Sequence, residues 1–166
     1  MGRMYNAGQE NITLTTAVDV LVAMQSAAAG NAGSILRIIR VEVSQISITT
    51  GAQVRCVIAQ RTTATTLTTT ALTPRPLTIG GPASGITGGT APTTAATAGY
   101  GATVDTGGTY TNTWPCAPHV FNGWLWLPTD KESIWLPPST LIVVKLMADP
   151  STLTGWDCSV IYEEVF

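Results

Sequence analysis

The sequence predicts an all-β chain, an antiparallel β-sandwich of jelly-roll type. Three observations predict it. Apolar residues recur at every second position in several segments, clusters of Pro, Gly, Asn and Asp separate those segments, and no segment carries apolar residues at helical spacing. At 166 residues the chain suffices for one domain that buries a core without cross-links.

Residues 1–11 read as a polar N-terminal arm, and residues 12–166 as the sandwich. No secretory signal is expected, because Met1 to Tyr5 runs into Asn6 and Gln9-Glu10-Asn11 without an apolar stretch. Ile12-Thr13-Leu14-Thr15 alternates, and Val18, Val20 and Val22 continue around Asp19. Ser26 to Ser34 is a loop of small residues, or else a short helical turn. Ile35 to Ile48 is the longest expected strand. Val41 and Val43 point one way, Glu42 and Ser44 the other, and a phase slip then brings in Ile46 and Ile48, the mark of a bulge or bend. A turn at Thr50-Gly51-Ala52 precedes Val54, Cys56 and Ile58, so these two segments are expected to form a hairpin.

Residues 62–112 are rich in Thr, Gly, Ala and Pro, with Arg75 and Asp105 their sole charges. Neither flank is large enough to stand alone, so the stretch reads as long ordered loops rather than a linker. Short strands are expected around Leu77-Thr78-Ile79 and from Tyr100 to Trp114. Excursions of this length in a compact domain usually carry function.

Strand patterning then returns. Phe121 to Leu127 holds an Asn122-Gly123 turn and Trp124-Leu125-Trp126. Ser133 to Leu136 is closed by Pro137-Pro138. Leu141 to Ala148 sets Ile142, Val144 and Leu146 on one face with Lys145 opposite, and the last strand sets Trp156, Cys158, Val160 and Tyr162 inward. About eight strands without a helix fit a jelly roll.

Composition narrows the function. Charged residues make up 11% of the chain, against about 25% in ordinary soluble domains. A surface with so few strongly hydrated groups suits a protein packed against partners better than the alternative, a secreted or thermally robust monomer coated in threonine. The net charge of −2 and the scatter of the eight Lys and Arg residues argue against nucleic acid. No apolar run approaches a membrane span. Three cysteines leave at least one unpaired, which excludes a disulfide framework and fits cytoplasmic synthesis.

Catalytic and metal readings find little support. His119 is the lone histidine, and Cys116-Ala117-Pro118-His119 offers half a zinc site at most, since Cys56 and Cys158 belong to other strands. A Cys116–His119 dyad is disfavoured because near neighbours on an extended chain point apart. Asp130 with Glu132 reads as a charged turn, and Glu163-Glu164 as a solvated C-terminus, rather than as glycosidase pairs. The paired glycines 80–81, 88–89 and 107–108 lack the Lys and helix of a phosphate loop. No catalytic residue, cofactor or metal site is therefore assigned. Aromatic residues carry more weight. Trp124 and Trp126 share one face and read as core, subunit contact or carbohydrate platform, while Tyr100, Tyr110 and Trp114 in the long-loop region are candidate protein-interface anchors.

Several segments together resemble small virion proteins of tailed bacteriophages, of the head-decoration (cement) type. They are Thr73-Pro74-Arg75-Pro76-Leu77, the Gly/Thr/Ala-rich stretch, Phe121-Asn122-Gly123-Trp124, Trp135-Leu136-Pro137-Pro138, a Leu-Ile-Val-Val strand and Ile161-Tyr162-Glu163-Glu164. The resemblance spans roughly residues 35–165. It implies self-association, commonly as a homotrimer, and attachment to the major capsid protein on the capsid exterior. The alternatives are a carbohydrate-binding or receptor-binding module of a phage fibre or tail, and a β-sandwich hydrolase. A lectin would gather exposed aromatics beside clustered Asp and Asn, which the sequence disperses.

Overall fold

The period-two segments resolve, in a computed structural model that describes residues 2–16, 18–46, 51, 53–62, 66–89 and 96–165, into two packed sheets with no helix among the described residues. The strands in chain order are β1 (Arg3–Ile12), β2 (Val20–Gln25), β3 (Leu36–Gln45), β4 (Cys56–Thr62), β5 (Leu67–Ala71), β6 (Arg75–Pro76) and β7 (Thr87–Gly88). They continue as β8 (Thr97–Asp105), β9 (Thr109–Cys116), β10 (Trp124–Trp126), β11 (Ile134–Leu136), β12 (Leu141–Leu146) and β13 (Trp156–Glu164). One sheet runs β10-β3-β13-β1-β6, with β11 also on β3. The other runs β5-β8-β2-β12-β4-β9, with β7 on β8. Pairing is antiparallel apart from the β7–β8 contact. The chain is therefore an antiparallel β-sandwich.

The inner faces make one core. Tyr5 and Ala7 of β1, Ile38, Val41 and Val43 of β3, and Cys158, Val160 and Tyr162 of β13 meet Val22 and Met24, Cys56 and Ile58, and Ile142, Val144 and Leu146 of the second sheet. Each large aliphatic side chain buried there is worth about 1.5–3 kcal/mol. The inward phase expected for β13 holds along the whole strand, with Val160 opposite Ala7 on one side and Val41 on the other.

The second sheet is buried on its outer face as well. Val20 and Ala23, Leu141 and Val143, and Val57 and Ala59 point away from the main core into a second cluster, closed by Val18, Leu67, Ala102 and the partly buried Tyr110. This accounts for the continuous apolar runs of β2, β12 and β4, which alternate between two cores rather than between core and water.

Four expectations change. The segment read as an arm is β1, paired with β13 from Arg3 to Ile12; its outward Asn6, Gly8 and Glu10 give it a polar look while Tyr5 and Ala7 are buried. The expected hairpin does not form, because β3 and β4 lie in opposite sheets. Ile48, Thr50 and Ala52 lie outside the described residues. The phase slip in β3 falls at Ile39, where Ile161 pairs with Arg40 and Tyr162 with Ile38. Gln45 keeps the inward phase of Val41 and Val43, its Nε2 donating to the carbonyls of Thr152 (3.1 Å) and Thr154 (3.2 Å), and Ile46 is exposed. Finally, the long-loop region holds five strands among its described residues. Leu77–Ile79 is not among them, because the chain leaves β6 into a turn closed by Gly81 N donating to Thr78 O at 2.9 Å.

Two buried ionisable side chains pin that region down. Glu164, buried at 1% exposure where solvation was expected, accepts from Gly85 N at 2.9 Å and from the Ser84 hydroxyl, which also meets the Tyr162 hydroxyl at 2.7 Å. On the far side, β8 kinks at Gly101, whose φ of 54° favours glycine. Beyond the kink Asp105 meets Arg61: Oδ1 accepts from Nε (3.2 Å) and Nη2 (3.1 Å), while Nη2 also donates to Thr106 O at 3.2 Å. Tyr110 donates its hydroxyl to Asp105 Oδ2, and the Lys145 ammonium stands 4.4 Å from the Tyr110 ring centroid. The Arg61 side chain is 1% exposed. Asp105→Ala should therefore destabilise the fold by about 3–5 kcal/mol, since it leaves a buried guanidinium without its counter-charge. Chemical denaturation measures this, and a loss below about 1 kcal/mol would mean the pair is solvated.

Candidate functional site: an apolar edge and a polar groove

The side chains from Phe121 to Leu136 are placed by two short strands laid end to end along β3. Trp124, Leu125 and Trp126 pair with Val43, Glu42 and Val41, and Ile134, Trp135 and Leu136 with Ile38, Arg37 and Leu36. Gly123 makes the entry turn at φ 63°, where a Cβ would lie 2.8 Å from Val43 O. The turn between the strands is built by Thr129, whose N–H and hydroxyl both donate to Glu132 Oε2 (3.1 and 2.8 Å). These bonds hold the exposed Glu132 carboxyl below its usual range. Period two then turns Trp126 and Leu136 inward, with Trp126 against Trp114 at 5.7 Å between centroids. It turns Leu125 and Trp135 outward at 54% and 52% exposure, beside Leu127 at 65%. Arg37 stands over the Trp135 ring at 5.5 Å and pairs with Asp130 at 2.7 Å and Glu163 at 3.5 Å. The result is a sheet margin that exposes three large apolar side chains, spaced along β3 beside the charged Arg37 and Glu42.

Trp124 and Trp126 turn toward the main core, and the three aromatics expected to anchor an interface lie on other strands. Tyr100 and Trp114 pack against the main core and Tyr110 against the second, so their rings are largely committed within the chain. The large exposed apolar groups Leu125, Leu127 and Trp135 were legible only as alternation within β10 and β11.

A groove of about 440 Å³ crosses the outer face of the six-stranded sheet, lined by residues of β1, β3, β6 and β13. Asn6, Glu10, Glu42 and Asp157, dispersed in the sequence, come together here. Ser159 donates to Asn6 Oδ1 at 2.8 Å, Asp157 Oδ1 accepts from Asn11 N at 2.8 Å, and Glu42 is paired with Arg40. Glu10, Ser44 and Arg75 make no side-chain hydrogen bond or ion pair among the described residues. A bulge in β1 between Gln9 and Ile12, with Asn11 at φ 54°, sets the bend at one end.

The candidate chemistry is dispersed. His119 lies tilted against Phe121 at 5.1 Å between ring centroids, and its Nδ1 accepts from Phe121 N at 3.4 Å. Cys116 lies across from Cys56 on the β9–β4 ladder, and Cys56 and Cys158 are buried in the core. Burial pushes the Cys56 thiol up to about 12 and the Cys116 thiol up to about 11, so both stay protonated at neutral pH. Among the described residues, no group of three or more His, Cys, Asp or Glu side chains is arranged to hold a metal.

A carboxylate pair that the sequence does not announce is Asp19 with Asp149. Burial first, then the Asp149 charge, push the Asp19 carboxyl up to about 6, opposed by Lys145. One Asp19 oxygen is buried without a hydrogen-bond partner. Between about pH 4 and pH 6 the folded chain thus binds a proton that the unfolded chain does not. Its contribution is complete below about pH 4 and is lost as pH rises through 6, with partial solvation keeping it small. Asp19→Asn should raise the melting temperature at pH 7.5 and change it little at pH 4.5. Equal loss at both values would show the carboxylate to be stabilising.

Comparison with family models, with curated protein sequences and with solved structures finds no match in any of the three.

Proposed function

We propose that this chain is a structural virion protein that decorates a phage capsid from outside and stabilises it by bridging capsid subunits as an oligomer. The observation that carries the reading is the apolar edge of Leu125, Leu127 and Trp135, held outward by a rigid ladder on a chain with few charges to desolvate. With β1 paired inside the sheet, attachment falls to side chains rather than to a free arm. Strand order supports a jelly-roll assignment: β1-β13-β3-β10 faces β2-β12-β4-β9, the arrangement of two Greek keys, with β5 to β8 inserted between the fourth and ninth strands. Jelly rolls serve capsids and lectins alike, so the fold is analogy and the edge is the argument.

Shells assembled without the protein should rupture at lower temperature than shells that carry it, and adding it back should restore them by mass action. The double variant Leu127→Ser, Trp135→Ser should melt within a few degrees of the parent, since both side chains are exposed, yet lose oligomerisation and shell attachment. A monomeric parent protein and shells equally robust in its absence would overturn the reading.

A further inference from the structure

We propose that the groove across β6, β1, β13 and β3 is a binding site for a neutral oligosaccharide. This goes beyond capsid attachment and does not rest on it, because the groove lies on a sheet face and the apolar edge on the sheet's margin.

The shape comes from the backbone. Four adjacent strands span about 14 Å at ordinary strand spacing, and the volume of about 440 Å³ falls within the range of small-molecule sites. Gly8, on β1 opposite Ser159, leaves the floor without a side chain. A Cβ there would lie 3.0 Å from the Asn6 amide oxygen, so any larger residue would push the Asn6 side chain aside.

Charge and polarity decide the class of ligand. Three carboxylates face one guanidinium, which at first suggests a cationic ligand. Glu42 is already paired with Arg40, however, and Asp157 already accepts a backbone N–H. The ionic groups left without partners are Glu10 and Arg75, one of each sign. With Arg40 counted, three carboxylates meet two guanidiniums, and the single surplus negative charge repels a phosphate and is small for a basic peptide. The groove has no apolar floor for a lipid or a drug-like molecule. It does present acceptors (Glu10, Asp157), a fork of donors (Arg75) and groups that do both (Asn6, Ser44), the set that matches the paired hydroxyls of a sugar.

Saturation-transfer NMR and calorimetry on the full chain, with maltotriose, cellotriose and N-acetylchitotriose as probes, test this. At least one should bind, with an affinity that changes less than about twofold between 50 and 500 mM salt, as a neutral ligand requires. Arg75→Ala and Glu10→Gln, both surface changes, should each weaken binding about tenfold by removing a charge-assisted hydrogen bond. Gly8→Val, whose side chain would fill the floor beside Asn6, should abolish it while circular dichroism shows the sheet still formed. Transfer to none of the three sugars, equal affinity in Arg75→Ala, or tighter and salt-sensitive binding of an oligolysine probe would overturn the proposal. None of these readouts involves a shell, so each stands apart from capsid attachment.

Discussion

Three neighbouring strands, β2, β12 and β4, are apolar on both faces, and the rest of the fold follows from covering them. One face is closed by the six-stranded sheet. The other, carrying Val20, Ala23, Val57, Ala59, Leu141 and Val143, would face water in an ordinary two-layer sandwich. The chain closes it with material from the Thr- and Gly-rich stretch, bringing Leu67 and Ala102 over the sheet after the kink at Gly101. A stretch poor in large side chains suits this task, because it supplies backbone for ladder hydrogen bonds and a few small apolar residues to fill a shallow second core.

Such a cover gains little from hydrophobic burial, so its position depends on polar anchors. Arg61 with Asp105 fixes the side over the second core, and Glu164 with Ser84 and Gly85 fixes the side against the first sheet. Both anchors tie a strand end to a segment distant in sequence, closing loops whose entropy cost grows only slowly with length. The outer strands are kept from uncontrolled pairing by their brevity and by proline: β6 is two residues long and ends in Pro76, β9 contains Pro115, and β10 and β11 have three residues each. What remains for contact is therefore side chains on short strands and a polar sheet face.

The parts of this architecture legible in the sequence were those with one wet face. β13 alternates cleanly because Asp157, Ser159 and Glu163 point outward, and the main-core phase of β12 and of the segment entering β4 shows only where Lys145 and Arg55 interrupt the apolar run. Val143 and Ala59 gave no sign of a second core, since a strand buried on both sides shows no period. The hairpin between residues 35 and 58 was inferred from adjacency, and sheet crossing leaves no local signal. β1 was hidden by Gly8 and its polar outward positions. The buried Glu164 looks like any terminal carboxylate until Ser84 and Gly85 are brought to it. The groove draws on residues from 6 to 159, and its cluster of Asn6, Glu10, Glu42 and Asp157 exists only once β1, β13 and β3 are side by side.

Native-state hydrogen exchange tests the covered-sheet account most directly. The amides of Gly99 and Tyr100, which lie between β2 and β5, belong to the Thr- and Gly-rich stretch, whereas those of Val160 and Tyr162 sit in the middle of the first sheet. If the stretch is an integral cover, both sets exchange only through global unfolding and share one opening free energy. If Gly99 and Tyr100 instead exchange at the rate of an unstructured chain while Val160 and Tyr162 stay protected, the outer face of β2, β12 and β4 is not held closed and the account fails.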